Sequence, residues 1–231
     1  MNVLAIDSSN LTMGVAVANE TAVLGEFITN TKKNHSVRLM PAVERLLKDI
    51  EMAPDDLDRV AVAQGPGSYT GVRIGVTVAK TLAWALGIEL VGVSSLEVLA
   101  QNGRHFPGYV VPLFDARRGQ VYTGLYRAHQ DRVLSVENDR IVPIADWADA
   151  LAKLDAPVLF LGSDVDKHWA TIQAAMGENA VKSSANDHYP RPSELAKLGI
   201  RRDPVPVHEF TPEYLQLAEA EAKWLARQER K

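Results

Sequence analysis

The chain has 231 residues, a formal net charge of −4, 46% hydrophobic and 23% charged residues, and no cysteine. That balance is ordinary for a globular protein long enough for one or two domains. It excludes disulfides, thiolate metal sites and thiol nucleophiles, and the acidic excess argues against nucleic-acid binding by this chain alone. Met1-Asn-Val-Leu-Ala-Ile-Asp7 starts directly on a strand, without a basic leader or a long apolar run. Neither signal peptide nor membrane span is therefore expected, and a cytoplasmic location fits.

Three apolar runs, Val3–Ile6, Met13–Ala18 and Thr21–Ile28, are divided by Asp7-Ser-Ser-Asn-Leu-Thr12 and Asn19-Glu20, which predicts an antiparallel meander. A helix is expected over Ser36–Ile50, with Val37, Met40, Val43, Leu47 and Ile50 on one stripe and Pro41 near its start. Arg59–Ala63 is β-branched at alternate positions and reads as a buried strand. It enters the loop Gln64-Gly-Pro-Gly-Ser-Tyr-Thr-Gly71, which leaves as a helix to Leu86, capped by Ser68 or Thr70 and stopped at Gly87. A strand over Glu89–Val93 and a short helix over Leu96–Gln101, capped by Ser94 or Ser95, follow.

The helix 70–86 carries Gly71, Gly75, Ala79 and Ala83 four residues apart, a furrow of tiny side chains. Two interior glycines cost roughly 1 kcal/mol each relative to alanine. Close approach of another element must offset that. One reading is a phosphate cradle at the helix N-terminus, with Gly67 and Ser68 in the loop. The other is a packing face, against the chain's own sheet or a partner chain. Neither GxxxxGK[ST] nor GxGxxG is present, which favours packing.

Gly103–Gly108 is polar and glycine-bearing, a lobe boundary. Beyond it the start of the chain is echoed: Tyr109–Phe114, then Asp115-Ala-Arg-Arg-Gly-Gln120, then Val121–Tyr126, with Gly124 matching Gly14. The remainder gives a helix over Ile144–Leu154, a strand over Pro157–Leu161, a helix over Val165–Met176 and a helix over Ser193–Leu198 opened by Pro192. Asp203-Pro-Val-Pro206 is a stiff linker, and Leu215–Gln228 reads as a charged helix.

Asp7 and Asp115 stand at matching strand-end turns, either to position a phosphate or metal-bound water, or to close Asx turns on their own backbone. The six histidines form no HxxxH or HExxH pair, and no GxSxG elbow appears. Arg117-Arg118 either grips an anion or sits solvated at a hairpin tip. No catalytic site, metal site or cofactor motif emerges.

Together, Ile6-Asp-Ser-Ser9, His35-Ser36, the run from Gln64 to Gly75, Val91-Gly-Val-Ser-Ser-Leu96 and Asp115-Ala-Arg-Arg-Gly119 resemble the bacterial TsaB family, formerly YeaZ. Tyr189-Pro-Arg-Pro192 and Pro212-Glu-Tyr-Leu215 are similar to that family's tail. The resemblance implies an α/β chain of the two-lobed actin/Hsp70/sugar-kinase (ASKHA) fold, each lobe a mixed sheet with flanking helices. We take the lobes as 1–106 and 107–213, with a C-terminal helix over 214–231. It implies a non-catalytic subunit in the making of N6-threonylcarbamoyladenosine (t6A) at position 37 of ANN-reading tRNAs. Its partners would be the catalytic paralogue TsaD and the ATPase TsaE, with a homodimer when alone and tRNA met only through the complex.

The implied dimer face maps to Val37, Met40, Val43, Leu47, Gly71, Gly75, Val78, Ala79, Leu82 and Ala83. Asp7, Ser8, Ser9, Gly67, Ser68 and Asp115 would be a vestigial phosphate site. TsaD carries a His-x-x-x-His metal pair where this chain has Ser95 and Leu99, and neither replaces an imidazole ligand. The rival reading is an ATP-dependent small-molecule kinase or ATPase of the same fold.

Overall fold

In the first strand, Val3 and Ala5 turn to one side while Leu4 and Ile6 turn to the other, and all four are fully buried. A strand apolar on both faces must lie between two layers. The computed structural model, which describes residues 1–31, 33–130 and 132–216, shows those layers. The first sheet has the order β3-β2-β1-β4-β5, from β1 (Val3–Asp7), β2 (Met13–Ala18), β3 (Val23–Thr29), β4 (Arg59–Gly65) and β5 (Glu89–Ser94). The first three strands form the expected antiparallel meander, and β4 and β5 join parallel to β1. Helices α1 (Leu39–Asp49) and α2 (Tyr69–Leu86) cover the face of Leu4 and Ile6.

The second sheet repeats that plan. Its strands are β6 (Tyr109–Arg117), β7 (Gln120–His129), β8 (Arg132–Pro143), β9 (Val158–Leu161) and β10 (Ala180–Lys182). Read from its far edge the order is β8-β7-β6-β9-β10, again a meander followed by two parallel strands. Helices α4 (Ile144–Leu151) and α5 (Val165–Met176) cover one face. This is the duplicated, two-lobed ASKHA architecture. The echo of Asp7 in Asp115 is the sequence trace of it, since both lie at the end of the first strand of a lobe.

The last described helix of each half crosses over. The short α3 (Ser95–Ala100) packs Leu96, Leu99 and Ala100 against Val110, Phe114 and Leu161 of the second sheet. Gln101, just past it, clasps strand β8: its Nε2 donates to Val133 O (3.1 Å) and its Oε1 accepts from Val133 N (3.1 Å). That clasp occupies an outward backbone pair on an edge strand. Conversely, α6 (Pro192–Ile200) lies on the first sheet, Leu195 and Ala196 against Val3, Ala5 and Ala61. The second lobe, expected to run to residue 213, thus gives up its last part to the first.

Other boundaries moved too. α1 starts at Leu39, three residues later than expected: Pro41 has no N–H to give Val37 O, so His35–Arg38 form a separate turn in which His35 O accepts from Arg38 N and Leu39 N. β8 and β10 had no place in the sequence reading: β8 is half polar, and β10 is only three residues long. The caps fell among those expected, with Ser68 accepting from Gly71 N, Ser94 accepting from Leu96 N, and Gly87 left-handed at φ 67°. The charged helix expected over 215–228 lies, from residue 217 on, outside the described residues.

Candidate functional site

The loop from β4 into α2 is where a phosphate would sit on a helix N-terminus. In this chain its own β1–β2 loop sits there. Ser68 N donates to Ser9 O (2.7 Å), Gly71 N donates to Ser68 Oγ (3.3 Å), and Ser8 Oγ donates to Gly71 O (2.8 Å). A Cβ on Gly67 would overlap the carbonyl oxygen of Ser9, and one on Gly71 that of Ser8. The glycines therefore exist for close approach of backbone, and two donors of the expected cradle, Ser68 N and Gly71 N, are spent inside the molecule.

The same geometry places the residues of the expected dimer face. Gly71, Gly75, Ala79 and Ala83 are buried against the first sheet, and a Cβ on Gly75 would stand 2.7 Å from Ser8 Oγ. The furrow packs on its own lobe and is buried there. Val43 and Leu47 are likewise buried in the core beneath α1, because the inward stripe is Leu39, Ala42, Val43, Leu46 and Leu47. What stays outward is Val37, 67% exposed, and Met40, 43% exposed, with Val78 and Leu82 half-buried. Trp84, 67% exposed on the outer side of α2, was not singled out from sequence. Its signal was there, since it falls off the Gly-Ala ridge.

The expected phosphate residues also separate. Asp7 is only 1% exposed and does not reach the space between the lobes. Its Oδ1 accepts from Ser9 N (2.9 Å) and Ser9 Oγ (2.8 Å), an Asx turn, whereas Oδ2 is buried without a partner. Burial pushes its carboxyl above the usual range, against the opposing pull of the Ser9 bonds and of His35. His35 Nε2 lies 3.0 Å from Asn10 O; a carbonyl only accepts, so this nitrogen carries the proton. Ser8 and Ser9 are equally buried.

Gly67, Ser68 and Asp115, by contrast, line a cleft of about 860 Å³ between the lobes, together with Tyr69, Arg117, Arg118 and Tyr214. Asp115 N donates to Asp164 Oδ2 (3.1 Å). Its carboxylate accepts from Arg117 N (3.1 Å) and lies 3.3 Å from Lys167 Nζ and 3.2 Å from His168 Nε2. Burial raises this carboxyl, but the Arg117 N–H, the Lys167 ammonium and the His168 hydrogen bond outweigh it and hold it below the usual range. Arg117 and Arg118 both take left-handed backbone, φ 68° and 53°, at the β6–β7 tip beside the cleft. Lys167 and His168 were missed from sequence; three residues past the α5 cap, they stand where Gly71 and Val72 stand in α2. Among the described residues no three His, Asp or Glu gather as a metal-holding group.

The family model described as "TsaD: tRNA N6-adenosine threonylcarbamoyltransferase" matches residues 22–224. The Bacillus subtilis tRNA threonylcarbamoyladenosine biosynthesis protein TsaB is 56% identical over 99% of this chain and 100% of its own. The chain belongs to the TsaB family. The Escherichia coli TsaB is 33% identical over 62% of each chain. A Pseudomonas aeruginosa crystal structure, described as an uncharacterized protein with similarity to the peptidase YeaZ, superposes with TM-score 0.79 at 28% identity, over 93% of this chain and 99% of that one.

The two positions that the resemblance sets against the paralogue's metal pair, Ser95 and Leu99, are occupied by packing side chains. Ser95 is fully buried and its Oγ accepts from Gly65 N (3.2 Å), while Leu99 is fully buried among Val110, Phe114 and Leu161. A serine hydroxyl does meet a histidine elsewhere, Ser183 Oγ at 3.1 Å from His188 Nδ1. That nitrogen also takes the Gly162 N–H (3.2 Å), and among the described residues no carboxylate bonds the ring's other nitrogen. The pair lacks the third member that orients a catalytic base.

Proposed function

We propose that this chain works in t6A biosynthesis as a non-catalytic subunit, pairing with TsaD in the cytoplasm. The catalytic paralogue would transfer the threonylcarbamoyl group, TsaE would join the pair, and tRNA would be met through the complex. The observation that carries this reading is full-length, 56% identity to the B. subtilis TsaB. It is supported by the β1–β2 loop bonded to the start of α2 and by Ser95 and Leu99 where metal-binding imidazoles would stand.

The proposed contact face is the outer side of the α1–α2 layer. It comprises Val37, Met40 and Trp84, rimmed by the half-buried Val78 and Leu82. Exposed apolar side chains on one helical layer fit a partner better than solvent. The same face would serve a homodimer in the absence of TsaD.

The test is assembly. The chain is purified alone and with TsaD of the same organism, and masses are read by light scattering coupled to gel filtration. A 1:1 complex is expected, lost in Val37→Asp/Met40→Asp while circular dichroism stays unchanged. The rival kinase or ATPase reading has the 860 Å³ cleft in its favour. Saturable ATP binding by the lone chain with no TsaD complex would establish it instead.

A further inference from the structure

Past α6 the chain does not simply end on the surface. Val205 N donates to Leu90 O (2.9 Å) in an antiparallel bridge at the edge of the first sheet. Lys80 Nζ then holds two carbonyls, those of His208 (3.1 Å) and Phe210 (2.6 Å). Glu213 N donates to Gln64 O (2.8 Å), and Gln64 Nε2 donates to Glu213 Oε2 (2.8 Å). Two glycines make seats for this segment. A Cβ on Gly92 would stand 2.5 Å from the Phe210 ring, and one on Gly65 would overlap Glu213 O.

The segment then reaches across the cleft. Tyr214 stacks on Tyr69 of α2, centroids 4.7 Å apart and planes 26° from parallel. Arg73 lies 5.1 Å over the Tyr69 ring and donates to its hydroxyl (3.0 Å), fixing that ring. Two residues further, Gln216 Oε1 accepts from Tyr122 OH (3.2 Å), and Tyr122 belongs to β7 of the second lobe. Tyr69, Tyr122, Tyr214 and Gln216 all line the cleft. Its far wall includes Phe114, which packs beneath α3, so the lobes are joined there by α3 and at the open side by residues 214–216.

We infer that residues 203–216 form a strap whose distal half latches the two lobes across the mouth of the cleft and releases without the rest of the fold. The two halves differ in anchorage. The proximal half is stiffened by Pro204 and Pro206 and held by the Leu90 bridge, Lys80 and the buried side of Phe210. The distal half is largely solvent-facing, with Tyr214 41% exposed, and among the described residues it hangs on the backbone and side-chain bonds of Glu213 to Gln64, the Tyr214 stack and the Gln216 bond to the second lobe. Segments with few buried contacts open at a small fraction of the global unfolding free energy. Access to the cleft is thereby set by the strap.

The absence of cysteine allows clean spin labelling of the full chain through Asp55→Cys on the first lobe and Gln173→Cys on the second, both exposed. Inter-label distances are measured by pulsed electron resonance in the parent, Tyr214→Ala, Tyr214→Phe and Gln216→Ala, beside amide hydrogen exchange. Tyr214→Ala should add a longer-distance population. It should also speed exchange at the Glu213 amide roughly tenfold, the scale of one aromatic pair, while the Val205 amide is unchanged. Tyr214→Phe should match the parent, and Gln216→Ala should widen the distances without touching Glu213. Unchanged distances in Tyr214→Ala, or Val205 exchanging faster in step with Glu213, would overturn the strap.

Discussion

Helices α2 and α5 hold equivalent places in the two lobes, each following the first parallel strand, yet they meet their sheets differently. Three residues past its cap, α2 has Gly71, over which the Ser8 carbonyl slides; at the same step α5 has Lys167. α2 keeps a row of glycine and alanine inward, whereas α5 turns Val165, His168, Ile172 and Met176 inward. The close approach in the first lobe seals Asp7 under the loop with one oxygen unpartnered. The stand-off in the second leaves Asp115 on the cleft wall, where Lys167 and His168 reach it. One duplicated turn has thus become a buried structural acid in one lobe and a solvated, neutralised one in the other. Side-chain volume on the facing helix decides which.

The sharpest way to break this comparison is to give α2 the bulk that α5 carries. Gly75→Leu drives a side chain into Ser8 Oγ, Ile6 and Val62. We expect a loss of about 3 kcal/mol or more, the upper range of overpacking, read from the urea midpoint at constant m-value. Ala170→Leu on the exposed side of α5 should stay within about 0.5 kcal/mol. A Gly75→Leu protein as stable as the parent would mean that the furrow is not closed by its own sheet.

Next in size is the join between the lobes. Gln101→Leu leaves the buried N–H and C=O of Val133 without partners and should cost about 2 kcal/mol. Exchange should rise first at the Val133 amide. If that amide stays protected, something other than the Gln101 clasp shields it, and the edge of β8 is not sealed by Gln101.

Much of this plan was legible in the sequence. Strand alternation, the Ser68 and Ser94 caps and Gly87 as helix stop are local chemistry, and Asp7 and Asp115 marked the duplication before any sheet was seen. What was not legible needed the third dimension. A row of Gly71, Gly75, Ala79 and Ala83 says that something comes close, but not whether it is a partner helix or the chain's own Ser8. Val43 looks like Val37 on a helical wheel until the helix begins at Leu39 and turns one of them inward. Lys167 and His168 carry no motif; only the superposed topology of the lobes sets them beside Asp115. The crossing of α6 onto the first sheet is a long-range pairing that no local pattern encodes.

The smallest effects come from the two aspartates, and they should have opposite signs. Asp7 has its folded pKa raised by burial, so its contribution to stability is full below the ordinary aspartate range and is lost as pH rises through the folded value. Asp7→Asn keeps the Oδ1 bonds to Ser9 and removes a buried charge, so at neutral pH it should stabilise on the order of 1 kcal/mol. Asp115 has its folded pKa lowered, so its contribution is present above the ordinary range and fades as pH falls through the folded value. Lys167 is 58% exposed, and screening limits what the pair is worth, so Asp115→Asn should cost less than about 1 kcal/mol at neutral pH. Urea midpoints followed from neutral to acid pH should bring both variants toward the parent, Asp7→Asn from above and Asp115→Asn from below. Were Asp7→Asn destabilising at neutral pH, Asp7 would be a charged and partnered group, and the contrast between sealed and open turns would fail at its first member.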